Sequence, residues 1–163
     1  MTVTDDKRLP ERSRQVAAAL ESAHVSGRVR KLSESTRTAA EAAAALGCEI
    51  GAIANSLVFI ADGAPVLVMT SGRHRVDTTA LAARRGYREL RRATADEVRA
   101  ATGQPIGGVA PLGHPRALPT IVDTALADYP QVWAAAGTPH TVFPTTADEL
   151  VRITDGAPMP VDR

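Results

Sequence analysis

The run of residues 52–60 limits the fold more than any other part of the chain. Most of it is apolar, and Ile53, Leu57 and Phe59 share one face at a period of two, with Asn55 among them. Asp62-Gly63 follows as a turn signal, and Pro65-Val66-Leu67-Val68-Met69-Thr70 reads as a second strand. Residues 52–70 are therefore expected to form a β-hairpin at the heart of the core. Asn55 is the anomaly. A carboxamide on a buried face costs about 1–3 kcal/mol unless its hydrogen bonds are met. Either the fold satisfies it internally or it faces a pocket. Ser56 lies on the opposite face by strand alternation, so simple geometry does not put both in one pocket.

With 163 residues, 44% of them apolar, the chain can build one domain around one core. Aromatic residues make up only 3%, which argues against a stacking platform for single strands. The net charge is +1, yet the cations are unevenly placed. Residues 41–72 carry none, whereas residues 73–99 carry eight arginines against four acids. That cluster is either a solvated helical face or a surface for an anion or nucleic acid, with Arg73, Arg75, Arg84, Arg85, Arg91 and Arg92 as its candidate contacts. Cys48, the lone cysteine, excludes an internal disulfide and a cysteine-based metal cluster and reads as core. No apolar run is long enough to cross a membrane, and residues 1–10 lack the apolar centre of a signal peptide, so a cytoplasmic protein is expected.

Along the chain, residues 1–9 are expected to be flexible, 10–155 to form the folded domain, and 156–163 to be a loose tail. A helix opens at Pro10-Glu11 and runs to about residue 24. Val29 reads as exposed strand or loop. Ser35 or Thr36 caps an alanine-rich helix that stops at Gly47. After the hairpin, Asp77 caps a helix closed by Gly86, residues 89–92 form a short strand, and Thr94 with Glu97 makes a capping box. Strands are expected at 120–123, 131–136 and 141–143, and a second capping box, Thr146 with Glu149, opens a last helix.

Two loops could carry chemistry. Residues 105–115 hold three glycines and three prolines and cannot be helical. In that loop Gly107-Gly108 would let a ligand approach the backbone, although the Lys-Ser/Thr ending of a phosphate loop is absent. The other loop is Gly137-Thr138-Pro139-His140, where His140 is either a base, a hydrogen-bond donor to a phosphate or a capped turn histidine. The four histidines show no zinc spacing, and no nucleophile elbow occurs.

Taken together, Ile53-Ala54-Asn55-Ser56-Leu57-Val58-Phe59, Ile106-Gly107-Gly108-Val109-Ala110-Pro111-Leu112-Gly113-His114 and Ala136-Gly137-Thr138-Pro139-His140 resemble the YbaK/EbsC family of aminoacyl-tRNA editing domains. These are related to the insertion domain of bacterial prolyl-tRNA synthetases. The resemblance implies an α+β fold: a single compact domain with a mixed, barrel-like sheet and helices packed around it. It implies hydrolysis of a mischarged amino acid from the 3′ end of tRNA, with no metal or other cofactor. Asn55, Gly108 and His140 would take the catalytic positions, and Gly107, Pro111, His114, Gly137 and Thr138 would bind substrate. The implied partners are the aminoacyl-tRNA 3′ end and an aminoacyl-tRNA synthetase. One position departs from the pattern. The family strand reads close to Ile-Val-Lys-Ser-Leu-Val-Phe, and its lysine, which contacts the tRNA end, is Asn55 here. Asparagine can hydrogen-bond a phosphate but carries no charge. Arg73 or Arg75 is the candidate replacement, and a binding module that has lost the chemistry is the alternative reading.

Overall fold

The computed structural model describes residues 9–33, 36 and 38–162. The expected hairpin is its centre. Strand β2 (Ile53–Ala61) pairs antiparallel with β3 (Ala64–Ser71) from Ala54↔Ser71 to Ala61↔Ala64. Asp62 and Gly63 connect them with φ of 49° and 88°. Positive φ at both central residues gives the tight turn whose twist matches that of the strands. Asp62 also accepts hydrogen bonds from the Arg88 and Glu89 amides. The same turn thereby seats β4 (Leu90–Arg92) against β2.

The remaining strands extend the sheet on both sides. β5 (Thr120–Asp123) runs parallel to β3, and β8 (Ala157–Met159) runs parallel to β5. On the other side β6 (Val132–Ala135) runs parallel to β2 at Ile53 and Ala54, β7 (Thr141–Thr145) returns antiparallel, and β1 (Arg30–Lys31) joins β7. The order is β1-β7-β6-β2-β3-β5-β8, with β4 attached to β2. It is a single mixed α+β domain as expected, but the sheet stays open: β1 and β8 end the order without meeting.

The helices follow their caps. α1 (Glu11–Ser22) buries Ser13, Val16 and Leu20. α2 (Ala39–Leu46) is capped by Thr38, whose hydroxyl accepts from the Glu41 amide while Glu41 answers the Thr38 amide. The expected cap at Ser35 or Thr36 is thus displaced, because only Thr38 has an acid three residues on; Ser35 itself lies outside the described residues. Asp77 caps α3 (Thr78–Arg85), and Thr94 with Glu97 forms the full box of α4 (Ala95–Thr102). Thr146 caps α5 (Ala147–Thr154), but the Glu149 carboxylate turns to the Thr145 hydroxyl instead of closing the box.

Two apolar clusters sandwich the hairpin. The larger joins Val16, Leu20, Ala54, Val58, Met69, Val109, Leu126 and Phe143. The smaller joins Phe59, Val66, Val68, Leu81, Ile121 and Val161. Three expectations change here. Residues 1–8 lie outside the described residues, but Leu9 is buried in the larger cluster. Val29 is buried, not exposed. The C-terminal stretch supplies β8 and the fully buried Val161. Pro158 and Pro160 conceal that strand in the sequence, yet at the edge of a sheet proline is tolerated.

Candidate functional site

The outer edge of β2 is shared by two neighbours. β6 pairs with it at Ile53 and Ala54, and β4 pairs with it from Phe59 to Ala61. Between them no strand of the described residues pairs with that edge at residues 55–57. The Ile53 carbonyl accepts from the Gly72 amide, on the β3 side, while the Val58 carbonyl accepts from the Ala93 amide, on the β4 side. Alternation therefore aims the backbone of Ser56 into the gap. The Ser56 hydroxyl turns toward the larger core and donates to Met69 Sδ at 3.2 Å. Asn55 lies on the other face of the strand, half-buried opposite Thr70. Thr70 Oγ1 is buried without a hydrogen-bond partner among the described residues.

The glycine loop lies over this gap. Ile106, Gly107 and Val109 line a cleft with Ser56, Leu57, Val58, Arg92, Ala93 and Val98. Its volume is about 20 Å³, room for roughly one water-sized group. Gly108 is buried against the second loop: a Cβ there would stand 2.6 Å from the Thr138 backbone and 2.8 Å from the Pro139 nitrogen. Gly107 and Gly108 are thus brought together with Thr138 and Pro139. The Gly108 amide donates to the Pro105 carbonyl at 2.9 Å. The Gly107 and Val109 amides have no partner among the described residues, and both residues line the cleft.

The loop is held by Gln104, which the sequence did not single out, and by His114, which was expected to bind substrate. The buried Gln104 accepts the Ala110 amide on Oε1 at 2.7 Å. His114 Nε2 donates to the Ala110 carbonyl at 2.7 Å. Burial pushes the His114 pKa below its usual value, so its ring is a neutral tether. Pro111 beside it is buried.

The His140 turn is locked from two sides. Ser13 on α1 hydrogen-bonds Thr141 Oγ1 at 2.8 Å, and Thr141 in turn meets Thr138 Oγ1 at 2.8 Å. The Leu32 amide beyond β1 donates to the His140 carbonyl at 2.6 Å. Gly137 has φ of 99°, and a Cβ there would stand 3.1 Å from the Arg12 carbonyl oxygen. His140 Nδ1 is buried with no partner among the described residues. A buried ring nitrogen without a partner is uncommon.

Several arginines expected at the site are tied elsewhere. Arg73 binds Asp128 at 2.7 Å and the Tyr129 hydroxyl at 2.9 Å. Arg84 donates to the Pro160 and Asp162 carbonyls. Arg75 and Arg85 are exposed without a carboxylate partner among the described residues. Ser71, His74 and Asp123 cluster in space, but they are no nucleophilic triad. Ser71 donates its hydroxyl to the Gly51 carbonyl, and the two His74 ring nitrogens face carboxylates of Asp123 and Asp162. A concavity of about 620 Å³ between α1 and residues 25–29 contains none of the expected site residues. Among the described residues no cluster of metal-ligating side chains forms, and no helix is long and apolar enough to cross a membrane.

The chain is similar to known proteins in sequence and fold. Residues 33–153 match the aminoacyl-tRNA editing domain family. A solved structure of a proposed trans-editing enzyme for prolyl-tRNA synthetase is 42% identical, superposes with a TM-score of 0.90 and covers 95% of this chain and 99% of that one. The hypothetical protein APE2540 is 28% identical with a TM-score of 0.82, over 90% of this chain and 98% of that one. The uncharacterised protein YwhH of Bacillus subtilis (strain 168) is 29% identical over 123 residues, 75% of this chain and 78% of its own length.

Proposed function

The chain belongs to the aminoacyl-tRNA editing domain family, and we propose that it is a trans-editing deacylase that hydrolyses the ester of a mischarged tRNA. The observation that carries this reading is the packing of the Gly107-Gly108 loop on the His140 turn beside an unpaired stretch of β2. In the proposed reaction a water attacks the ester carbonyl carbon. The Gly107 and Val109 amides stabilise the developing oxyanion. His140, through the unpartnered Nδ1, orients or accepts a proton from the attacking water. The ester C–O bond breaks, releasing the amino acid and restoring the ribose hydroxyl of the 3′ adenosine. Gly108 keeps the two loops in contact, and Gly137, Thr138 and Pro111 shape the aminoacyl pocket. Asn55 hydrogen-bonds the tRNA end along the gap. The reaction draws on no metal, and the substrate comes from a synthetase that has misacylated its tRNA in the cytoplasm.

A binding module that recognises the tRNA end without hydrolysing it is the second reading, favoured by the uncharged Asn55. The two separate in one assay: the protein is incubated with a panel of mischarged tRNAs, beginning with proline tRNA that carries an amino acid other than proline, because the trans-editing relative is described as serving prolyl-tRNA synthetase. Faster loss of the amino acid than in buffer supports the deacylase. Saturable binding with no deacylation across the panel establishes the module instead.

A further inference from the structure

We infer that Arg92 supplies the cation of this site, gripping a phosphate at the 3′ end of the tRNA from across the gap in the sheet. This rests on the editing reading of the site and names the residue that takes over the role of the absent lysine. Arg92 is the charged residue among those lining the cleft with Ser56, Leu57 and Gly107. The register of β4 on β2 places it opposite Phe59, on the same face as Leu57 and Asn55. Leu57 is two residues from Phe59, about 7 Å along the strand, and it too lines the cleft.

The neighbouring arginine shows what distinguishes Arg92. Arg91 points to the opposite face of β4 and is held by both oxygens of Glu97 at 2.9 Å each. Arg92 has no carboxylate partner among the described residues. Its guanidinium carbon lies 6.0 Å from the centre of the Phe59 ring, a contact that steadies the stem and leaves the N–H fork free. A planar fork with free donors suits the oxygens of a phosphodiester. Of the two arginines expected to replace the lysine, Arg73 is already bound to Asp128 and Tyr129, and Arg75 is exposed and is not among the residues that line the cleft.

The test compares Arg92→Ala and Arg92→Lys with Arg99→Ala, which removes an equal charge from an exposed position of α4. Two measurements are made: binding of a short uncharged RNA ending in CCA, and the kcat and KM of deacylation. Arg92→Ala is expected to weaken RNA binding by about tenfold or more and to raise KM, with Arg92→Lys recovering part of the loss and Arg99→Ala changing little. The salt dependence of RNA binding should also fall by about 0.7 in log–log slope, one single-strand phosphate contact. A folded Arg92→Ala protein that binds the RNA as the parent does, or an equal loss in Arg99→Ala, overturns the inference. If the parent deacylates nothing, the editing reading fails, while the RNA-binding measurement still decides the role of Arg92. If the parent deacylates and Arg92→Ala keeps its KM, only the inference about Arg92 fails.

Discussion

Gly108 is fixed by what a side chain would strike. Its missing Cβ would meet the main chain of Thr138 and Pro139, and backbone cannot swing aside as a side-chain tip can. Gly108→Ala should therefore push the two loops apart. Overpacking of this kind costs about 1–3 kcal/mol, and deacylation should fall further than stability because the cleft is bounded by the same loop. Urea unfolding and a deacylation time course check this, and unchanged values in both would show the contact to be dispensable. Asn55 is the harder residue. The strand pattern singled it out, and the structure sets it half-buried opposite the orphaned Thr70 hydroxyl. With Arg92 as the site's cation, Asn55→Lys is expected to change the parent modestly and to restore RNA binding in the Arg92→Ala background. Burial opposes the change, since a lysine desolvated without an anion loses its proton or disturbs the hairpin. If Asn55→Ala retains full activity and Asn55→Lys fails to rescue Arg92→Ala in a folded protein, Asn55 is a core residue. Gln104 and Ser13 escaped notice for a physical reason: a side chain that tethers a distant backbone or hydroxyl leaves no period in the sequence.

Among the elements, those with a local cause were legible. The hairpin follows from alternation and a two-residue turn, and α3, α4 and α5 begin at the caps expected of Asp77, Thr94 and Thr146. The loop of residues 104–114 was legible only as a loop, because its shape comes from Gln104 and His114 closing on the N–H and C=O of one residue, Ala110. That closure carries a pH dependence. Burial lowers the His114 pKa in the folded state below 6.5. Well above 6.5 the ring is neutral folded or unfolded, and stability is complete. Below 6.5 the unfolded chain takes up the proton first, so stability falls until the pH passes the lowered folded value. Urea midpoints at about pH 7.5 and about pH 5.5 should differ in that direction, and the difference should shrink in His114→Gln. An identical pH response in the parent and in His114→Gln would remove His114 from this account.

The whole molecule is a hairpin with a core on each face, and the second core depends on the end of the chain. Sequence alone showed one hairpin and one core, since nothing local says that residues 157–161 come back to residues 59–81. Their return is nonetheless built from several separate contacts. β8 pairs with β5 over three residues. Val161 is fully buried beside Phe59, Val68 and Leu81. The Val161 carbonyl accepts the Asp77 amide at the start of α3, and Arg84 at the end of that helix grips the Pro160 and Asp162 carbonyls. The tail thus fastens α3 at both ends and covers the edge of β5. Removing residues 157–163 should expose the Val161 pocket, leave the Asp77 amide without its partner and uncover a strand edge. Burial of one valine contributes about 1.5 kcal/mol or more, and each lost hydrogen bond about 1 kcal/mol, so a loss of roughly 3–5 kcal/mol is expected, close to a third or more of a typical domain's stability. Val161→Ala alone should lose only about 1–2 kcal/mol, the transfer and cavity terms of two methyl groups. Denaturant unfolding distinguishes the two. A truncated chain with an unchanged midpoint would mean that the strand and its buried valine contribute nothing to the fold. A truncated chain that is destabilised but still binds the CCA-ended RNA at low temperature would separate this second core from the cleft, in keeping with β5 and β8 lying beyond β3, on the far side of β2 from the gap that opens between β6 and β4, whereas lost binding would run through Phe59, which belongs to this core and carries the Arg92 contact.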